Sequence, residues 1–302
     1  MTRRADRQSL KGLARQLCLD PELLELLAGD AASHYRPFTI REPGKKPREI
    51  DNPDDALKLV QRRLRRALLK PLVLPEHVHG CVKKRSQFSN AAVHLGRSNL
   101  ASVDVKNFYP SVTNSMIFAL WRSLGFGDRL ASLLTKLTTS HGHLPQGAPT
   151  SDALANHAMR SVDVQLAAIA KNLGLRLSRY LDNIDFSGPR AWEAIPHVIA
   201  VLRSEGFAVR HSKVFSAKAN RRQVVTGYTV NNGRQPSVSR DEQRRIRSAV
   251  HEFIQPRSRC PSSATTKEEQ RLRGRLAYLR RTNPGAAKSL DRQLAEAGIA
   301  MC

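Results

Sequence analysis

Two short extended runs near the middle of the chain, each delivering a carboxylate at its end, constrain the fold more than any other feature. Residues 100–104 are mostly apolar up to Asp104, the pattern of a central strand. Residues 175–188 divide into two short strands that meet at Leu181-Asp182-Asn183, where a bend presents a second acid. Residues 223–230, rich in β-branched side chains, read as a further strand. Helical stretches surround these runs without alternating regularly with them, so the expected class is α+β and not a doubly wound parallel sheet.

Leu and Ala recur at helical spacing over residues 9–32. Residues 35–51 alternate apolar with polar side chains about a Pro43-Gly44 turn, which predicts a β-hairpin with Lys45, Lys46 and Arg48 on or beside its tip. Over residues 54–72, Leu57, Val60, Leu64 and Leu68 form an apolar stripe, while Arg62, Arg63, Arg65 and Arg66 crowd the remaining surface and suit phosphates. Residues 114–137, 151–171 and 192–205 are further predicted helices, the second preceded by an irregular segment with Pro145, Gly147 and Pro149. Beyond residue 231 three helices follow, over 240–253, 267–279 and 286–297, and a domain boundary is expected near residue 235.

Charge narrows the choice of partner. The chain carries 50 Lys and Arg against 26 Asp and Glu, a formal net charge of +24, and such an excess favours contact with a polyanion. No stretch approaches the ~18 uninterrupted apolar residues of a spanning helix. The basic start of the chain is followed by Lys11, Arg15 and Asp20 before a signal core could form, so a cytoplasmic location is expected. Cys18, Cys81, Cys260 and Cys302 lack the paired spacing of a zinc site and read as reduced, non-catalytic thiols.

Phosphoryl transfer by a polymerase needs carboxylates that hold two hard cations ~3.5–4 Å apart, so that attacking and leaving oxygens are both stabilised. Strand-end acids such as Asp104 and Asp182 are the simplest supply. Val103-Asp-Val-Lys-Asn-Phe-Tyr-Pro-Ser-Val112, Leu144-Pro-Gln-Gly-Ala-Pro-Thr-Ser151 and Arg179-Tyr-Leu-Asp-Asn-Ile-Asp-Phe-Ser187 resemble palm motifs A, B and C of reverse transcriptases, in that family's order. Asn90-Ala-Ala-Val-His94 resembles the NAxxH motif of bacterial retron reverse transcriptases, and Val225-Thr-Gly227 resembles their VTG motif. The resemblance covers nearly everything from Tyr35 onward.

What the resemblance implies is a right-hand polymerase: a helical extension over 1–34, fingers over 35–99, and a palm over 100–234 of antiparallel sheet plus helices, with a fingers segment around 114–150. An α-helical, RNA-binding thumb would take 235–302. Asp104 and Asp182 would hold two Mg²⁺ ions, with the Val105 carbonyl and Asn183 as further oxygen ligands. Tyr109 resembles the aromatic gate against a ribose 2′-hydroxyl, although an aromatic there suits a core equally well. Gln146 and Gly147 would line the nucleotide pocket, and Lys45 and Arg48 would meet the triphosphate. Lys213 matches the motif D lysine, either a proton donor to pyrophosphate or a plain phosphate contact. Asn90 and His94 are placed among the RNA contacts, although a structural role in a local hydrogen-bond network is the favoured reading of His94, and Arg244, Arg245, Arg247, Arg271, Arg273 and Arg275 would grip phosphates.

The chain departs from the family at one place. Two aspartates are usual at the hairpin bend, but here Asn183 follows Asp182, which keeps a carbonyl ligand and loses a charge. Asp185, two residues on, returns to the same strand face. The implied function is synthesis of msDNA from a cognate non-coding RNA and dNTPs, primed from a guanosine 2′-hydroxyl, in anti-phage defence with an accessory effector or toxin. The alternatives are another defence-type or group II intron-like reverse transcriptase, or a catalytically impaired RNA-binding protein.

Overall fold

The computed structural model describes residues 9–41, 46–231, 234–259 and 266–299. Ser9 and Asp20 cap α1 (Leu10–Leu17) and α2 (Pro21–Gly29) by accepting from the Gly12 and Glu22 amides. Strands β1 (Tyr35–Ile40) and β2 (Arg48–Pro53) pair antiparallel, with Ile40 opposite Arg48. α3 (Asp55–Leu64) begins at the Asp54 cap and passes into one π-helical turn at Arg65–Leu69, so the helix expected over 54–72 is not a single α-helix. Arg63 reaches back to the carbonyls of Leu17 and Cys18 at 2.9 and 2.8 Å. One arginine expected on phosphates therefore closes the end of α1, where carbonyls lack helical partners.

Next come α4 (Gln87–Ala92), β3 (Asn99–Asp104), α5 (Phe108–Ser111), α6 (Asn114–Ser123) and α7 (Asp128–Thr138). α8 (Ser151–Ala158), α9 (Arg160–Asn172), β4 (Arg176–Tyr180), β5 (Asn183–Ser187) and α10 (Ala194–Ser204) follow. The central sheet is antiparallel, in the order β4-β5-β3-β6, with β6 (Phe215–Lys218) an edge strand that hydrophobic patterning did not reveal. β3 is buried from Leu100 to Asp104, as a strand flanked on both sides must be.

Three expected elements are split. The stretch 114–137 breaks between α6 and α7, where Gly125 takes φ +90° and Phe126 packs edge-on against Trp121. The stretch 151–171 breaks at Met159 between α8 and α9. Residues 223–230 form two short strands, β7 (Val224–Val225) and β8 (Tyr228–Thr229), about a left-handed Thr226-Gly227 turn. Because Thr226 is not a glycine, that turn must be held from outside; its hydroxyl donates to the Gln87 carbonyl at 2.9 Å.

The main apolar core runs from Leu13 in α1 to Val209, so the opening helices pack into the same core as the sheet. α11 (Arg240–Arg259), α12 (Thr266–Thr282) and α13 (Pro284–Glu296) enclose a separate core, from Ile246 to Ile299. Tyr278 of α12 meets Tyr228 at 4.8 Å between ring centres, and the Arg281 guanidinium lies 4.1 Å over the Phe88 ring. Among the described residues no helix is long and apolar enough to cross a membrane. Cys18 and Cys81 are free thiols, and Cys260 and Cys302 lie outside the described residues.

Candidate active site

The β4–β5 hairpin is closed by Leu181 and Asp182 alone, since Tyr180 and Asn183 are already a paired register position. Leu181 takes φ +55° and turns the chain sharply enough to carry Asp182 toward the end of β3. There the Val105 amide donates to the Asp182 carbonyl at 2.9 Å, and Asp104 pairs across the ladder with Asn183. Two acids separated by 77 intervening residues in sequence thus share one end of the sheet.

Their electrostatics are those of a cation site. Burial raises the pKa of Asp182, and the neighbouring charge of Asp104 raises it further. Asp104 is buried; Lys213 Nζ donates to its Oδ2 at 2.7 Å, and Arg210 Nε stands 3.4 Å from Oδ1 in ion-pair range. Oδ1 accepts no hydrogen bond of good geometry, so a buried carboxylate oxygen is left open beside a second carboxylate that resists ionising. A hard divalent cation satisfies both conditions, and the oxygen donors present fit it. The described residues hold no group of three or more His, Cys, Asp or Glu placed on a metal, so the acidic set here is the pair itself.

The expected nucleotide-pocket residues converge from two segments. The Asp51 amide donates to the Gln146 carbonyl at 2.8 Å, which lays β2, the strand carrying Arg48, against the loop of Gln146 and Gly147. Gly147 has φ +120°, and a Cβ there would meet Ile50 Cγ2 at 2.7 Å, so both the backbone conformation and the close approach of β2 require glycine. Arg48 is exposed, and Lys45 lies outside the described residues. Tyr109 is half-buried and its hydroxyl donates to Asp152 Oδ1 at 2.5 Å; Cys81 Sγ lies 3.1 Å from Oδ2 of the same carboxylate. Burial and the contact with Asp152 push the Cys81 thiol up to about 12, which keeps it protonated.

Both Asn90 and His94 are wholly buried and offer RNA no surface, which corrects the RNA contacts expected of them and agrees with the structural role favoured for His94. His94 Nδ1 lies 2.7 Å from Ser187 Oγ and Nε2 lies 2.8 Å from Ser178 Oγ, so the imidazole ties β4 to β5. Burial lowers its pKa to about 3 and keeps it neutral. Asn90 lies beside Asp185, although its amide atoms make no hydrogen bond of good geometry. Asp185 does share a face with Asn183, whose Nδ2 is 3.2 Å from Asp185 Oδ2, but it is entirely buried and bonded to Ser102 Oγ at 2.7 Å. Burial pushes its carboxyl up to about 7, so it sits inside the sheet and not in the cleft.

No protein-family model matches the chain. It is 30% identical over 327 residues to the retron Mx162 reverse transcriptase of Myxococcus xanthus, covering 95% of this chain and 67% of that one. The chain belongs to the retron reverse transcriptases. It is also 32% identical to the retron Mx65 enzyme of the same organism over 86% of this chain and 64% of that one, and so spans about two thirds of the length of either Myxococcus relative. Against the retron Ec86 reverse transcriptase of Escherichia coli it is 28% identical over 90% of this chain and 83% of that one. Among solved structures, telomerase from Candida albicans in complex with a telomeric RNA fragment aligns with 91% of the chain and 67% of its own, at TM-score 0.47 and 9% identity. That is too loose a likeness to carry an argument.

In this retron reverse transcriptase, the contacts that sequence reasoning missed are long-range ones. Asp152 follows the motif B segment, and nothing in its own surroundings signals that it meets Tyr109 and Cys81. Arg179 opens the motif C segment, and it is wholly buried in an ion pair with Asp163. A charged residue in the strand leading to the Leu181-Asp182 bend was the available signal, since a strand that packs against the core hides a charge only with a partner.

Proposed function

We propose that this enzyme copies a cognate structured RNA into DNA, with Asp104 and Asp182 holding two divalent cations, Mg²⁺ by preference, assisted by the Val105 carbonyl and Asn183. The observation that supports the reading best is the shared position of Asp104 and Asp182, one with an open buried oxygen and the other destabilised as an anion. Bound there, the metals would activate the attacking hydroxyl and stabilise the leaving pyrophosphate. Lys213 and Arg210 balance the Asp104 charge, and Lys213, with half its side chain exposed, is placed to turn toward a phosphate. Arg48 and Lys45 would meet the triphosphate, while Gln146 and Gly147 would line the nucleotide pocket.

The finer reading is that synthesis starts from the 2′-hydroxyl of a guanosine in the RNA, yields branched msDNA, and serves phage defence with an effector protein. Residues 35–99, 100–234 and 235–302 would act as fingers, palm and thumb. Purified protein with its co-purifying RNA, dNTPs and Mg²⁺ is expected to give a labelled DNA product whose mobility shifts after RNase and after debranching enzyme. Absence of incorporation with Mg²⁺ and with Mn²⁺ on every template would leave an RNA-binding protein without polymerase activity, the reading that Asn183 favours.

Tyr109 is proposed to exclude ribonucleotides. Tyr109→Ala should raise the ratio of ribonucleotide to deoxynucleotide incorporation by about 10- to 100-fold, the range over which pocket size discriminates. Asp152→Ala, which frees the Tyr109 hydroxyl without removing the ring, should move that ratio in the same direction by less. Competition between rCTP and dCTP on a fixed template reads both, and an unchanged ratio in Tyr109→Ala would refute the gate.

A further inference from the structure

The Arg179–Asp163 ion pair sits directly behind the catalytic bend. Both side chains are wholly buried; Arg179 Nε and Nη2 each donate to an Asp163 carboxylate oxygen at 2.7 Å. The third arm of the guanidinium, Nη1, donates to Asn156 Oδ1 and to the Leu181 carbonyl, both at 3.0 Å. Asn156 Nδ2 in turn holds the Gly80 carbonyl at 2.8 Å. Gly80 presses on the other side of the bend, where a Cβ would lie 2.6 Å from the Leu181 nitrogen. The backbone of residues 77–79 completes the frame: the Arg179 amide donates to the His77 carbonyl and the His79 amide to the Arg179 carbonyl, each at 2.7 Å.

Packing alone does not account for this arrangement. A buried ion pair adds little net stability, because desolvating both charges offsets their attraction, and apolar replacements of similar volume are often neutral or stabilising. Leu181 is a non-glycine residue at φ +55°, a conformation that is disfavoured for L side chains and persists only where the surroundings over-determine it. The bend also carries Asp182 toward the like charge of Asp104, a repulsion that would open it.

We propose that Arg179, locked by Asp163 and Asn156, is a positioning residue that clamps the Leu181 carbonyl and so holds Asp182 at the angle required to bind metal beside Asp104. The proposal rests on the polymerase reading above for its functional meaning, but its core claim concerns cation binding alone. Arg179 touches neither substrate nor metal. It acts through the bend, much as hydrogen-bond partners behind a metal ligand orient that ligand.

The decisive variant is the double replacement Arg179→Met with Asp163→Leu, which removes both charges together and leaves neither buried alone. The expected result is a protein that melts near the native temperature and binds RNA as tightly as native. Its Mn²⁺ affinity, measured by electron paramagnetic resonance titration without nucleotide, should fall about 10- to 100-fold, and kcat for extension should fall by a similar factor with the dNTP KM nearly unchanged. Should the double variant not fold, Asn156→Ala carries the same test, since it strips one arm of the clamp and leaves the ion pair intact; there a several-fold loss of Mn²⁺ affinity at native melting temperature is expected. Native Mn²⁺ affinity and native kcat in the folded variant would overturn the proposal, as would activity lost only in proportion to thermal stability. The two readings fail separately: a native chain that never extends DNA, yet binds Mn²⁺ more tightly than the variant, overturns the polymerase reading and supports the clamp.

Discussion

Asp182→Ala is expected to reduce DNA extension by about 10³-fold or more, because losing a metal ligand forfeits several kcal/mol of transition-state charge stabilisation and each 1.36 kcal/mol is tenfold in rate. The same substitution should not weaken the fold. The Asp182 carboxyl is raised in pKa by burial and by Asp104, so the folded state disfavours its charge and the native chain gives up stability to keep it ionised. A folded pKa above the ordinary 3.8 means that the native state binds the proton more tightly, and stability declines as pH rises from 3.8 through the raised value. The alanine variant lacks that decline and should melt at or above the native temperature at neutral pH. A single-turnover extension assay beside a melting curve checks both halves. Extension within tenfold of native would remove Asp182 from the chemistry, and a large drop in melting temperature would make it a structural residue.

RNA affinity is expected to fall by roughly 10³ or more between 50 and 200 mM salt, as it does when six or more phosphates are neutralised by cationic side chains. Arg244, Arg245 and Arg247 on α11 and Arg271, Arg273 and Arg275 on α12 are all exposed, while Ile246, Val250, Leu272 and Leu276 turn into the core between the helices. They are not equivalent. Arg273 bonds Glu269 at 2.8 Å and Arg245 stands 3.7 Å from Glu242, whereas Arg244, Arg247, Arg271 and Arg275 make no ion pair among the described residues. Each of those four, changed to Ala, should lower the slope of log affinity against log salt by about one phosphate's worth, ~0.7 to 0.9. Arg273→Ala should change it less, because the free protein already spends that charge on Glu269. Filter binding across a salt series measures the slopes, and a flat native slope would dissociate these helices from RNA binding.

The two strand-end acids, Asp104 and Asp182, were legible because their signal is local. A short apolar run ending in an acid, and a tight bend between two extended stretches, require only nearest neighbours, and the observed hairpin closes at the residues where the pattern changes. Helix breaks at Gly125 and Met159 were not legible, since the apolar spacing continues through each and the break depends on which neighbour the next turn meets. The NAxxH and VTG segments were recognisable as a signature, and a structural role for His94 was legible, but the partners of these segments were not. His94 answers to serines 84 and 93 residues away, and the Thr226 turn is fastened to the Gln87 carbonyl 139 residues back, so both serve the seam between elements.

From the amino-acid order alone came the α+β class, the basic surface, the family resemblance, and the two acids proposed to hold the metals. Tertiary structure alone decided that Asp185 is sealed inside the sheet, that Asn90 and His94 never reach solvent, and that Arg179 is buried behind the bend with its guanidinium on the Leu181 carbonyl. The reason is physical. Backbone periodicity records which face of an element is apolar, but the fate of a buried polar side chain depends on partners that only folding brings within hydrogen-bonding distance.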